Sequence, residues 1–333
     1  MAGINQKIRT VDYNAIQTIV SNVLGTGSVQ SGYGQPVLSS QVNLSSSVTV
    51  NEYAALRYDI INAYKHLFGT LPSGVDDQTE GAKIRYSLVD APVDYWLTVA
   101  NTINTQRRNL AIAGYRATIT ATPVQQTWPG SLGTAWTGSL FCIVTAEWSN
   151  SELARFFFNG GGSIQLSSFR TGGSTTAQNT SWTSLLSTAG TRIFGGNTPG
   201  ADTEPNDGSN YFRLSNVRQT WSSVTASSPY ALNDWTILAR TLDTPAVADN
   251  SAGTSRKIEF YVTWNDDHFP LGGPSATGSP TQPSLGFGPD AVDGTLAIGV
   301  NTVYPSQVLE PSGSGNWTVE LPTITISDIQ IVP

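Results

Sequence analysis

Residues 149–162 read S-N-S-E-L-A-R-F-F-F-N-G-G-G, so three phenylalanines are followed, after one asparagine, by three glycines. A serine at the N-cap and Gly160 as the stop predict a short helix here. Successive helix residues point about 100° apart, so Phe156, Phe157 and Phe158 are not expected to enter one core together. At least one of these rings is therefore expected to meet another structural element or another chain.

Beyond residue 112 the sequence has the two-residue period of β-strands, in β-branched and aromatic runs separated by Gly, Pro, Asn and Ser. A second short helix is predicted over 181–190. Strands that follow strands favour an antiparallel arrangement, so residues 111–333 are predicted to form a mainly β, jelly-roll-like antiparallel β-sandwich with two short inserted helices. The predicted strands are 114–122, 139–148, 163–170, 211–219, 234–242, 257–264, 295–303 and 316–331.

Residues 1–110 have the 3.6-residue period of amphipathic helices. Two helices are predicted, over 12–24 with Gly25 as its stop and over 49–67 with Gly69 as its stop. A third begins at 90–92, where a proline stands near the first turn, and ends near residue 109. We interpret this part as a small helical attachment or oligomerisation region, with a turn-rich linker around Gly-Tyr-Gly at 32–34.

The charge of the chain argues against nucleic acids as partners. Charged residues make up 12% of the 333 residues and the formal net charge is −7, whereas soluble domains typically have about 25% charged residues. No basic face is available for a phosphate backbone, so we expect no nucleic-acid binding.

We also expect no secretion signal and no membrane anchor. The start of the chain lacks a continuous apolar segment, and the apolar run 140–144 is far shorter than a bilayer span. The single cysteine, Cys142, lies in that run and is predicted to be a small buried side chain without a disulfide partner. The chain is therefore expected to be made in a reducing cytoplasm.

Metal binding through soft or imidazole ligands is disfavoured, because the chain has one Cys and two His. His66 is interpreted as a helix-end residue, and His268, after Asp266 and Asp267, as part of a polar strand end. No metal site or cofactor is expected. The candidates for a hard cation such as calcium are the oxygen-bearing side chains of an acidic loop, namely Asp202, Glu204 and Asp207.

Two further hypotheses concern glycans. A glycosidase needs two carboxylates about 5 to 10 Å apart, one with a raised pKa, and Glu147 and Glu259 are the candidates. A glycan-binding surface needs exposed aromatic rings in loops, for which Tyr33, Trp128 and Trp136 are the candidates. Most of the other tryptophans are interpreted as core anchors, because they are scattered one to an element.

The block 145–190 resembles a recurring block in virion structural proteins of tailed bacteriophages, especially cyanophage-like myoviruses. That block pairs a tryptophan-ended strand with an A-x-x-F-F-N-x-G-G helix end and a T-G-G…Q-N-T-x-W segment. A GYGQ-containing linker, a strand that runs into Asp-Asp-His and an I-T-I-S-D-I close extend the resemblance less sharply. The matching residues in the block are Trp148, Ala154, Phe157, Phe158, Asn159, Gly161, Gly162, Thr171, Gly172, Gly173, Gln178, Asn179, Thr180 and Trp182.

The resemblance implies a component of a tail, baseplate, neck or fibre and no particular catalytic residue. The low charge agrees with this, because uncharged contacts hold subunits together independently of salt. We therefore expect a homo-oligomeric virion subunit without enzymatic activity, assembled in the host cytoplasm and bound to copies of itself and to other virion proteins. Phe156, Phe157 and Phe158 are the predicted assembly contacts; the alternative is that all three rings pack within one subunit. A receptor- or glycan-binding module, with a host surface glycan as partner, is the alternative, followed by a glycan-cleaving enzyme.

Overall fold

A computed structural model of the chain describes residues 9–28, 31–68, 72, 93–107, 118–120, 124–128, 135–136, 138–195, 210–243, 250, 252–267, 291–305 and 319–331. Three helices come first, followed by two antiparallel sheets with two further helices inserted between strands. The predicted mainly β character and the helical start are thus confirmed.

The helical region consists of α1 (Thr10–Leu24), α2 (Val50–Phe68) and α3 (Val93–Gln106). The apolar positions that predicted the helices form their shared core, in which Val20 and Val23 are fully buried and Ile60 is nearly so. Helix α2 begins with a capping box, since the Glu52 carboxylate accepts from the backbone N–H of Thr49 and the Glu52 N–H donates back to Thr49 Oγ1.

The β region contains eleven strands in its described part. These are β1 (Thr118–Thr120), β2 (Val124–Trp128), β3 (Gly138–Glu147), β4 (Ser163–Thr171), β5 (Thr191–Phe194), β6 (Gln219–Thr225), β7 (Asp234–Thr241), β8 (Lys257–Asp266), β9 (Thr295–Pro305), β10 (Thr323–Ile326) and β11 (Gln330–Ile331). They form a five-stranded sheet in the order β1-β9-β4-β5, with β2 also on β9, and a six-stranded sheet in the order β10-β3-β8-β7-β6, with β11 also on β3. Every pairing is antiparallel.

The alternation within the central strands explains the core of the β region. In β7 every second side chain is buried, beginning with Trp235 and Ile237. Side chains of both sheets, among them Ile164 and Ile298 of the first and Val144 and Trp235 of the second, belong to one hydrophobic cluster. Since a strand presents alternate residues to its two faces, the two-residue period in the sequence marks the faces that meet in this cluster.

The two inserted helices are α4 (Ser151–Asn159) and α5 (Ala177–Ala189). The N-cap of α4 is Asn150, whose side chain accepts from the Leu153 N–H at 3.0 Å, so the expected serine cap is wrong by one residue. Helix α5 begins four residues before its predicted start, because Thr176 caps it by accepting from the Asn179 N–H.

One predicted strand, 211–219, is wrong. Its first residues form a 3₁₀ turn (Tyr211–Arg213), in which the carbonyl of Asn210 accepts from the N–H groups of Arg213 and Leu214. The apolar spacing there reflects a turn buried against the core. The strands β2, β5 and β6 were not predicted.

Candidate functional site

The end of helix α4 is where the block 145–190 contacts the helical region. Phe157 and Phe158 point into the core of the β region, where they are 0% and 1% exposed. Phe157 lies 5.3 Å from Trp148 between ring centroids, and Phe158 stacks on Tyr211 at 4.3 Å. Phe156 is half-buried and points the other way.

Phe156 packs on Gly34, in the linker between α1 and α2. A Cβ added at Gly34 would overlap the Phe156 ring, and the backbone there has φ +67°, which favours glycine. Of the three rings, two therefore enter the core of the β region and one meets the helical region of the same chain.

The glycines that follow the phenylalanines allow close packing. A Cβ on Gly162 would lie 2.6 Å from the Phe157 ring, and one on Gly160 would lie 2.6 Å from the hydroxyl oxygen of Tyr304. The sequence F-F-F-N-G-G-G is thus explained by rings that pack directly on the backbone leaving the helix.

Two buried hydrogen bonds join α4 to the helical region. Asn159 Nδ2 donates to the Gly32 carbonyl at 3.0 Å, and His66 Nε2 donates to the Gly160 carbonyl at 3.0 Å. The His66 ring lies 4.9 Å from the buried Tyr33 ring. His66, expected only as a helix-end residue, is in fact 0% exposed and belongs to this junction.

The predicted assembly contacts are thereby restricted. Phe157 and Phe158 expose almost no surface with which to contact another chain, so a contact by the phenylalanine run depends on Phe156. That contact stays a prediction.

The second half of the block, T-G-G…Q-N-T-x-W, builds a polar cluster around Asp293. The Asp293 carboxylate accepts from Arg170 Nη2 at 3.0 Å, from the Ser174 N–H at 3.0 Å and from Asn179 Nδ2. Burial would raise the pKa of Asp293, but the Ser174 and Asn179 hydrogen bonds and the Arg170 charge outweigh it and lower the pKa. Gly173, with φ +78°, lies so close to this carboxylate that a Cβ would overlap it.

Gln178 and Trp182 of the same motif point to Asp266 at the end of β8. Gln178 Nε2 donates to Asp266 Oδ1, and Trp182 Nε1 approaches the same oxygen at 3.4 Å. Asp266 is 4% exposed, and burial raises its pKa to about 7 despite these hydrogen bonds. It lies at an inward-facing position of β8, so the expected polar strand end is a buried carboxyl group.

The two carboxylates proposed for glycan cleavage are held by cations. Glu147 contacts Lys257 Nζ at 2.9 Å and Arg256 Nη1 at 2.8 Å, and the Lys257 hydrogen bond lowers its pKa. Burial would raise the pKa of Glu259, but its hydrogen bonds hold it below the usual range. Its carboxylate accepts from Arg240 Nη2 at 2.9 Å and from Arg218 Nε at 3.0 Å. Neither carboxylate has the raised pKa that a general acid requires.

The aromatic residues proposed to bind a glycan are not exposed loop residues. Tyr33 is 0% and Trp136 4% exposed, so their expected exposure is wrong. Tyr33 donates through its hydroxyl to the Arg107 carbonyl, and Trp136 packs edge-to-face on Trp182. Trp128 is half-buried at the end of β2.

The acidic loop with Asp202, Glu204 and Asp207 lies outside the described residues, as does His268. Within the part of the chain that the structure describes, no three His, Cys, Asp or Glu side chains are close enough to hold a metal ion. Cys142 is fully buried, as predicted, and burial raises the pKa of its thiol to about 12. Among the helices in the described ranges, none combines the length and apolar character needed to cross a bilayer.

Sequence reasoning missed the buried arginines. Arg170 is inward-facing on β4, and only 5% of its side chain is exposed. The sequence indicates this burial, because Arg170 lies on the same strand face as Ile164 and Leu166. Arg155 of α4 is equally buried and donates through Nη1 to the Gly253 carbonyl at 3.0 Å. The sequence feature that indicates its burial is a cationic residue on the apolar face of a short helix.

The chain matches no protein-family model, no curated protein and no solved structure. The junction and the two polar clusters are therefore the observations from which a function is argued.

Proposed function

We propose that the chain is a structural subunit of a tailed-phage virion, placed in the tail, baseplate, neck or fibre apparatus. It acts by contacts with copies of itself and with neighbouring virion proteins, is assembled in the host cytoplasm, and makes or breaks no bond. The finer fold that we propose for its β region is a jelly-roll-like sandwich, supported by the single hydrophobic cluster that both sheets share.

The observation that carries the proposal is how the chain uses the block that resembles virion proteins. Asn159 and Gly160 bind the helical region, Asn179 binds Asp293 before β9, and Gln178 binds Asp266 at the end of β8. Each of these contacts joins parts of the chain that are far apart in sequence. A motif whose residues join distant parts of one chain is expected in a scaffold that must transmit force or hold a position.

The chemistry of the candidate catalytic residues supports the same view. Glu147 and Glu259 are each bound by two cations that keep them ionised. A glycan-cleaving reaction through this pair would need one of them protonated near neutral pH.

The experiment is quantitative mass spectrometry of density-purified particles of the phage that encodes the chain. We expect the chain in a fixed ratio to the tail proteins, unchanged by a high-salt wash, because apolar contacts are not screened. Absence from the particles, with the chain left in the soluble lysate, would exclude the proposal. A matched assay of glycan cleavage with the wild type and Glu259→Gln tests the enzymatic alternative.

A further inference from the structure

One face of the helical region is formed by α1 together with the segment that follows it. Residues 39–46 run alongside α1 in the opposite direction. Three α1 side chains donate to backbone carbonyls of this segment in reverse order: Thr10 to Ser46 at 2.8 Å, Asn14 to Val42 at 2.8 Å and Gln17 to Ser39 at 3.1 Å. These hydrogen bonds place the segment beside the helix, and we call the outward residues of the helix together with those of residues 38–50 the α1 face.

The α1 face carries exposed apolar side chains. Val11 is 62% exposed, Leu38 61%, Leu44 70% and Val50 67%. These are four of the nine large apolar side chains that are exposed in the described part of the chain. A concentration of such side chains on one surface is typical of a contact site.

The α1 face also carries few charges. Between residues 10 and 56 the only charged residues are Asp12 and Glu52. Asp12 pairs with Arg9 at 2.7 Å, and Glu52 is held in the capping box by Thr49. The remaining exposed residues there are Ser, Thr, Asn, Gln, Ala, Pro and the four apolar side chains.

We propose that the α1 face is the contact through which two copies of this chain associate, an inference that rests on the proposed structural role. Each copy carries a formal net charge of −7, so copies repel one another wherever charged surfaces meet. A face with few charges largely avoids that repulsion. Two-fold pairing places the same patch on both partners, and a patch with so little charge is compatible with itself.

The test introduces like charges into the face. Val11→Asp with Leu44→Asp places two carboxylates on each copy, which face their counterparts across the contact. The matched control, Val217→Asp with Leu232→Asp, changes two side chains of the β region that are 63% and 64% exposed. Sedimentation velocity over a concentration series should show association of the wild type and the control, and an association constant at least about tenfold lower for the α1-face variant.

Three results would overturn the inference: a wild type that stays monomeric, an α1-face variant that associates as the wild type does, or equal loss in both variants. Circular dichroism verifies the fold. If the α1-face variant does not fold, oxidative cross-linking through one introduced cysteine replaces it as the test. The native Cys142 does not interfere, because it is fully buried. Ala15→Cys should cross-link under oxidation and Thr225→Cys should not; the reverse overturns the inference. Any of these failures leaves the chain's presence in particles untouched, so they are distinguishable from failure of the proposed function.

Discussion

His66 and Gly160 are 94 residues apart in the chain, yet His66 Nε2 lies 3.0 Å from the Gly160 carbonyl oxygen. This bond joins helix α2 to the first glycine after helix α4. Together with Asn159 and Phe156, it fixes the helical region on the β region through buried contacts. The segment with three phenylalanines and three glycines is thus a joint within one chain.

The first prediction concerns the Asn159 bond at this joint. Asn159→Ala leaves the buried Gly32 carbonyl without that donor, so the free energy of unfolding should fall by about 1–3 kcal/mol. Urea unfolding followed by fluorescence measures this. The control is Asn101→Ala on the exposed side of α3, which should change stability by less than about 0.5 kcal/mol. Equal effects of the two substitutions would count against a role of Asn159 in the joint.

The second prediction separates crowding from backbone strain at Gly34. Gly34 and Gly172 have φ +67° and +70°, but only a Cβ at Gly34 meets another group, the Phe156 ring. Gly172→Ala should cost about 1 kcal/mol through the left-handed backbone alone, and Gly34→Ala should cost clearly more. In a Phe156→Ala background the cost of Gly34→Ala should fall to that of Gly172→Ala, because the ring is gone. Additive effects in this cycle would show that Phe156 does not pack on Gly34.

The third prediction is a pH dependence that comes from Asp266. Its folded-state pKa of about 7 lies above the ordinary value of 3.8, so the folded protein binds more protons than the unfolded one between these values. The contribution of Asp266 to stability is therefore fully present below about pH 4 and is lost as the pH rises through about 7.

Asp266→Asn should remove this slope and raise the free energy of unfolding at pH 8 by roughly 1–4 kcal/mol. Thermal unfolding from pH 4 to 8 measures the effect, with the exposed Asp328→Asn as control. A wild type and variant with parallel pH profiles would refute the assignment.

The fourth prediction compares an ion pair whose arginine is buried with ion pairs whose partners are all partly exposed. Asp293→Ala leaves Arg170, whose side chain is 5% exposed, without its carboxylate partner, and should cost about 3–5 kcal/mol. Glu147→Ala removes a carboxylate paired with Arg256 and Lys257 at the surface, and should cost less than about 1 kcal/mol. Denaturant midpoints at low and high salt measure both. If the effect of Asp293→Ala were small and salt-dependent, Asp293 would not stabilise the fold as the partner of the buried Arg170.

The parts of the fold that could be predicted are those with a local signal. The helices α1 and α2 are predicted by apolar residues such as Ile16, Val20 and Ile60, and strand β7 by the alternation of its residues. The strand β2, V-Q-Q-T-W, could not be predicted because both its faces are partly exposed and its apolar residues do not alternate with charges. The turn at 211–213 was mistaken for a strand because its apolar residues are buried by tertiary packing.

The candidate site was predictable only in part, because most of its contacts depend on tertiary packing and have no local sequence signal. Three adjacent rings on a helix must diverge, so the geometry of α4 alone predicted that one would meet another element. Which element it meets depends on Gly32 and Gly34, more than 120 residues earlier, and no periodicity connects them. The partners Arg170 with Asp293 and Gln178 with Asp266 are likewise brought together only by the folded sheets.

The central proposal is that this chain is encoded by a tailed phage and occupies a fixed place in its particle. Cryo-electron microscopy of the tail, neck and baseplate of the encoding phage tests it most directly. We expect repeated density that fits the two sheets and five helices, with copies in contact through uncharged surfaces. Density maps that account for every tail, neck, baseplate and fibre subunit without this chain would contradict the claim.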